Sequence, residues 1–167
     1  MVGNPVPKEW ILRLASAMAA TVREYGAARP WGTPVVKFNV GCFPWHGRIE
    51  LSILTAEELS TNPVLQEPGE MAAWYHYNFG VGLTSWDPDA AELGRQMLHN
   101  YNAAVEVDKP ATVEAFLRAC ASAAARPEVA AALGSLVHDP RFKISVDHPD
   151  NRREFYSPEN VAEAEQL

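Results

Sequence analysis

Residues 49–58 read Ile-Glu-Leu-Ser-Ile-Leu-Thr-Ala-Glu-Glu, and this stretch decides how the chain folds. Its first half alternates apolar and polar residues, which is typical of a β-strand with one buried face. The apolar positions are Ile49, Leu51 and Ile53, and the polar positions between them are Glu50 and Ser52. At Thr55 the pattern changes to a capping box, in which Thr55 caps a helix and Glu58 reaches back to its start. The sequence therefore predicts a strand over 49–54 that passes directly into a short helix, broken near Asn62 and Pro63.

A second strand is predicted immediately before this one, over residues 35–40, because the segment is rich in β-branched residues. The segment between the two strands holds Gly41, Pro44 and Gly47, which favour a connecting loop. The aromatic spacing of 74–79 suits either a strand or a short helix, and we favour a strand. Apolar spacing and helix-start signals predict the other elements. These are helices over 8–25, 87–103, 110–125 and 127–136, a strand over 142–146 and a short helix from Ser157.

Together these elements predict a single α+β domain over 1–167, with a small, mostly antiparallel sheet of three or four strands packed with helices. The hairpin and the strand over 142–146 are expected to share one sheet. Its buried face is predicted to consist of Ile49, Leu51, Ile53, Ile144 and Val146. We expect the chain ends, 1–6 and 160–167, to fray.

Composition excludes several classes of protein. The 167 residues are 47% hydrophobic and carry a net charge of −7, so the chain is globular and a poor match for nucleic-acid phosphates. No apolar run is long enough to span a bilayer, and the first residues do not resemble a signal peptide, so we expect a cytoplasmic protein without a membrane partner. The two cysteines, Cys42 and Cys120, are expected to be reduced. The sequence leaves the oligomeric state open.

The charge is unevenly distributed along the chain. Residues 49–94 contain eight carboxylates and neither lysine nor arginine, which leaves thirteen acidic residues against fourteen basic ones elsewhere. Acidic residues beside aromatic ones are typical of a surface that attracts and holds a basic protein partner. The predicted partner-binding residues are Trp45, Glu57, Glu58, Glu67, Glu70, Trp74 and Tyr77. The alternative interpretation is an acidic, solvated face over an ordinary core.

No motif in the chain specifies a reaction. The histidines lack the short-range spacing of zinc ligands, so we expect no metal and no cofactor. A thiol at Cys42 lies four residues from His46, and these two with His76 define an alternative hypothesis, a small-molecule or metal-dependent enzyme with a pocket near all three. We favour a protein without catalytic residues.

The layout also suggests a resemblance. An amphipathic helix leads to a hairpin that ends in residues 52–58, an aromatic segment 74–77 follows with Trp86 beyond it, and the late segment 142–147 leads to residues 151–155 at the tail. This arrangement resembles a bacterial family of small cytoplasmic domains of unknown function. It is also similar to α+β immunity-type proteins, which neutralise secreted toxins. The resemblance implies a small mixed fold and a protein-binding role, and it carries over no catalytic residue.

Overall fold

A computed structural model of the chain describes residues 6–28, 32–159 and 162. Within these residues it contains five α-helices and three strands. In chain order they are α1 (Lys8–Ala27), β1 (Val35–Phe43), β2 (Arg48–Thr55), α2 (Ala56–Thr61), α3 (Asp87–Ala103), α4 (Lys109–Ala124), α5 (Pro127–Leu133) and β3 (His138–Ser145). The predicted α+β fold class is confirmed.

The three strands form one sheet in the order β2-β1-β3. Strands β1 and β2 pair antiparallel as a hairpin, in the register that places Phe38 opposite Ile53. Strand β3 pairs with β1 in parallel, which corrects the expectation of antiparallel neighbours. The reason is the connection: α3, α4 and α5 intervene before β3, and a long helical crossover returns the chain to the end at which β1 began.

The main core lies between the sheet and α1, α3, α4 and α5. The predicted buried face is present, since Ile49, Leu51, Ile53 and Val146 are buried and Ile144 is half-buried against them. From α1, Leu14 and Met18 are completely buried in this core. Burial of the apolar side chains of this core stabilises the fold.

The opposite face of the sheet is covered as well. Residues 62–79, which we call the cover segment, cross it as two short 3-10 helices (Pro63–Gln66 and Met71–Ala73) and turns. With α2 the cover segment encloses a second, smaller core of Val36, Leu54, Leu59, Leu65 and Trp74. Glu50 and Ser52, which the alternation places opposite the main core, are therefore buried rather than solvated.

The predicted strand over 74–79 is wrong. The segment makes one isolated antiparallel bridge, between Ile53 and His76, and otherwise forms turns. Asn78 has a φ of 46°, a left-handed conformation that extended chain does not adopt. Two backbone hydrogen bonds, from Ile53 N–H to the His76 carbonyl and from Phe79 N–H to the Leu51 carbonyl, still tie the segment to the outer edge of β2. The segment therefore protects this edge without extending the sheet.

Local signals predict the helix starts well. The capping box at Thr55 and Glu58 is present in full, and α2 ends just before Asn62 as predicted. Helix α1 continues through Gly26 to Ala27, and α3 begins at Asp87 with the buried Trp86 as its cap residue. Of the ends predicted to fray, only residues 6 and 162 belong to the described residues. Across the described ranges, no helix has the combined length and apolar character that spanning a membrane requires.

Candidate functional site

A groove runs between α2 and the end of the cover segment. It has a volume of about 540 Å³ and is lined by Glu57, Glu58, Tyr75 and His76, with Leu65 among its apolar residues. We call it the acidic groove. It is within the range of pockets that hold ligand groups, about 300–1,000 Å³.

Tyr75 is the most exposed aromatic residue of the groove, with 77% of its surface accessible. Its backbone is nevertheless fixed, because its N–H donates to Oε1 of Glu58 at 2.5 Å. The other carboxylate oxygen of Glu58 accepts from the backbone N–H of Thr55 at 3.2 Å, so one glutamate completes the capping box of α2 and also positions Tyr75. A rigid backbone with an exposed ring is the arrangement expected of an aromatic anchor for a partner.

The ring of His76 contacts the ring of Tyr75. The two rings meet edge to face with their centroids 4.9 Å apart. His76 is held in turn by Tyr25 of α1, whose hydroxyl oxygen lies 2.5 Å from Nδ1 of the histidine. The groove is therefore connected to the main core through α1.

The structure brings only part of the predicted partner-binding set together. Glu57 and Glu58 line the acidic groove, whereas Glu67 lines a different cleft and Glu70 is exposed at the start of the second 3-10 helix. Trp45 is half-buried at the tip of the β1–β2 hairpin, packed edge to face on Tyr101. The tip and Glu57 lie at opposite ends of β2, an eight-residue strand that is roughly 25 Å long. One compact patch therefore does not contain both.

The two remaining aromatic residues of the set have internal contacts. Trp74 is buried, with 5% of its surface accessible, and its indole N–H donates to the Leu65 carbonyl at 2.8 Å. Tyr77 donates its hydroxyl to Oε2 of Glu50 at 2.6 Å. Both residues hold the cover segment on the sheet instead of facing solvent.

Several carboxylates of the acidic stretch are also committed to intramolecular contacts. Glu50 pairs with Arg48, Asp89 with Arg13 at 2.6 Å and Glu92 with Arg95. Asp87 accepts a hydrogen bond from the Gly82 N–H at 3.0 Å. The field around the cover segment therefore depends mainly on Glu57, Glu67 and Glu70, all of which are exposed.

The three residues of the enzyme hypothesis are not brought together. Cys42 is completely buried beside Met97, while His46 is exposed at the hairpin tip. Cys42 is paired with Ile49 and His76 with Ile53, four positions farther along β2, or about 13 Å. The neighbouring Cys120 thiol and burial raise the pKa of Cys42 well above its usual value, which opposes a reactive thiolate. Among the described residues, no three histidine, cysteine or acidic side chains cluster as a metal site would require.

A second cavity lies between the cover segment and the outer face of β1 and β3, and we call it the sheet cleft. It measures about 380 Å³. Its floor is formed by alternate residues of the two strands, Lys37 and Asn39 from β1 and Lys143 and Ser145 from β3, with Asp147 just beyond. Trp74 forms one wall, and the ammonium of Lys37 lies 5.9 Å from the centre of its ring.

Burial perturbs two charged groups of the sheet cleft in opposite directions. It lowers the pKa of Lys37, and the nearby Asp147 carboxylate opposes this effect. It raises the pKa of Asp147, and Lys37 opposes that effect in turn. Both groups therefore lose solvation in the fold, and each compensates the other only in part.

The residues of the sheet cleft, and Tyr75 in the groove, were not predicted as site residues. Alternating polar residues on β1 and β3 are the usual signal of a solvated strand face, and the sequence contains no separate signal for the cover segment that turns this face into a cavity. Tyr75 stands among three other aromatic residues in 74–79, and only the turn geometry decides which of them is exposed.

Comparison with protein-family models, with curated proteins and with solved structures gives no match for this chain. The fold and the candidate site thus define an α+β protein whose cover segment borders two cavities, the acidic groove and the sheet cleft. The resemblance to immunity-type proteins stays a prediction.

Proposed function

We propose that this chain is a non-enzymatic protein that binds a basic protein partner through the acidic groove, and that the exposed acids of the cover segment attract this partner. The observation that carries the proposal is Tyr75, an aromatic residue that is 77% exposed and held rigidly next to two glutamates. A basic segment would place a lysine or arginine near Glu57 and against the face of the Tyr75 ring, where a cation is attracted by both groups.

Long-range attraction supports the same partner. The net charge of −7 originates in residues 49–94. Within this segment, Glu57, Glu67 and Glu70 lie within a stretch of fourteen residues, and all three are exposed. A surface of one sign accelerates encounter with a partner of the other sign. In the most concrete version of the proposal, the protein acts in the cytoplasm as an immunity or antitoxin-like protein, and its partner is a basic toxin.

The test compares two variants with the same change in net charge. The first reverses Glu57, Glu67 and Glu70 to lysine, and the second reverses Glu9, Glu106 and Glu159, which are exposed acids outside the segment. Partners are captured from a lysate of the host with the parent protein, and their association rates are measured at rising salt. We expect the first variant to associate much more slowly than the second, with little change in melting temperature, since exposed charges contribute little to stability. The difference should shrink at about 0.15 M salt, where screening shortens the reach of a charge to about 8 Å.

Tyr75→Ala tests the anchor separately. Loss of a desolvated aromatic contact is expected to speed dissociation and to leave the association rate nearly unchanged. If the first triple variant and Tyr75→Ala both bind every captured partner with the kinetics of the parent, the acidic segment is a solvated face and the proposal is wrong.

A further inference from the structure

The sheet cleft contains six charged side chains, three of each sign. They are Lys37, Lys143, Arg152, Glu67, Asp147 and Glu154. All six belong to the described residues, and none forms a salt bridge with another of them, although eight such pairs occur elsewhere in the described chain. Four of the six are exposed, whereas Lys37 and Asp147 are partly buried, and each of these two compensates the lost solvation of the other only in part.

Two pairs of like charge occupy different positions along the cleft. Lys37 and Lys143 occupy paired positions of the parallel strands β1 and β3, so their side chains lie together on the same face of the sheet. Asp147 and Glu154 face each other across an isolated antiparallel bridge. Asp147 lies two residues beyond the end of β3, and its Oδ2 accepts from the side-chain amide of Asn39, two residues along β1 from Lys37, at 3.4 Å. Lys37 and Lys143 thus mark one end of the cleft and the Asp147–Glu154 pair marks the other, where Arg152 adds a cation near the two carboxylates.

Two further features are typical of a binding site rather than of a structural cavity. Asn39 lies between the two ends and is only 3% exposed; its amide N–H donates to the Ser145 hydroxyl at 2.7 Å, while its buried carbonyl oxygen has no hydrogen-bond partner in the described structure. Arg152 has a φ of 62°, a strained conformation for a residue with a side chain, and its guanidinium lies over Gly69 on the opposite rim. Unsatisfied polar groups and backbone strain persist where function requires them.

We propose that the sheet cleft binds a small zwitterion of about the size of a dipeptide, with its carboxylate between Lys37 and Lys143 and its ammonium against Asp147 and Glu154. The volume of about 380 Å³ suits a ligand of this size. The long lysine side chains take up part of the separation between the two ends, and two extended residues span roughly 7 Å of the rest. A peptide group in the middle of the ligand would face Asn39 and Ser145. Equal numbers of both charges favour a zwitterion over a simple anion, which would be repelled by the acidic end.

The probe is L-alanyl-L-alanine, titrated calorimetrically into the full chain. Two matched ligands lack one charge each: the N-acetylated dipeptide has no ammonium, and the dipeptide amide has no carboxylate. We expect the free dipeptide to bind and each blocked ligand to bind at least about tenfold more weakly, since each loses one charge-assisted contact. No binding of the free dipeptide, or equal binding of all three ligands, would overturn the proposal.

Asp147→Asn tests the anionic end, and Asp139→Asn is the matched control. Asp139 lies on β3, and it pairs with Arg141 outside the cleft. We expect Asp147→Asn to weaken the affinity for the free dipeptide about tenfold and to leave the affinity for the acetylated dipeptide unchanged, while the control alters neither affinity.

The exposed Lys143 gives a second variant at the other end of the cleft. Lys143→Gln should weaken the affinity for the free dipeptide and leave the affinity for the dipeptide amide unchanged. If both cleft variants bind as the control does, the proposal is wrong. Tyr75 and Glu57 lie outside the sheet cleft, whereas Glu67 lines it, so Tyr75→Ala is the variant that separates failure of this proposal from failure of the proposed protein-binding function.

Discussion

At the scale of single residues, Glu50 shows why strand alternation is an incomplete guide to burial. The carboxylate lies on the face opposite the main core, yet it is only 3% exposed and accepts hydrogen bonds from Tyr77 and Arg48. We expect Tyr77→Phe to lower the free energy of unfolding by about 1–3 kcal/mol in urea melts near neutral pH, because a buried acceptor loses a donor. Tyr75→Phe is the control, since that exposed hydroxyl should contribute less than about 0.5 kcal/mol.

The same contact makes the effect depend on pH. Burial, followed by the hydrogen bond to Glu50, raises the pKa of Tyr77 to about 12, above the value of about 10 for unfolded tyrosine. A raised pKa in the folded state contributes stability that is complete below about pH 10 and is lost as the pH rises through about 12. The difference between the parent and Tyr77→Phe should therefore shrink over this window. A difference that stays constant or grows there would mean that the hydroxyl of Tyr77 has no such contact.

At the scale of elements, the packing of α3 against the hairpin depends on two glycines. A Cβ atom at Gly94 would collide with the backbone carbonyl of Gly47, which itself has a φ of 62° in the turn before β2. In an ordinary helix Gly→Ala stabilises by roughly 1 kcal/mol. Here we expect the opposite sign, a loss of about 1–3 kcal/mol in denaturant melts, since the helix must move away from the hairpin. Asn102→Ala, at an exposed position of α3, should instead leave stability unchanged or raise it slightly. An increase in stability for Gly94→Ala would show that α3 and the hairpin are not in this close contact.

A comparison of the predicted and observed elements shows which parts of the fold local sequence patterns can predict. The helices and the hairpin were predictable because their signals are local: apolar spacing in α1, Asp87-Pro88 at the start of α3 and the capping box at Thr55. The direction of β3 depends on the path through three helices, which alternation in 142–146 does not encode. The aromatic run 74–79 has a high strand propensity, but the turn at Asn78 and the packing of Trp74 under the chain override it.

At the scale of the whole molecule, the sheet separates two cores of unequal size. The main core unites α1, α3, α4 and α5, whereas the second core holds five buried residues beneath short 3-10 helices. The acidic groove and the sheet cleft both lie against the cover segment, on the side of the smaller core. The sequence predicted the acidic character of this region but not its cavities, because each cavity forms only when distant segments meet, as residues 66–74 and 143–154 do around the sheet cleft.

This division predicts that the cover segment opens independently of the rest of the fold. Trp74→Ala removes the largest side chain of the second core and its hydrogen bond to Leu65, so we expect amide hydrogen exchange to accelerate throughout 62–76. Amides of α1 and α4 should keep nearly the protection of the parent, because their contacts belong to the main core. Leu14→Ala, which empties a completely buried position in α1, should cost about 2–5 kcal/mol and accelerate exchange in every element. If Trp74→Ala lowers protection in α1 and α4 as much as in the cover segment, the protein unfolds as one cooperative unit. In that case the cover segment does not open by itself, and such an opening cannot give a ligand or partner access to the outer face of the sheet.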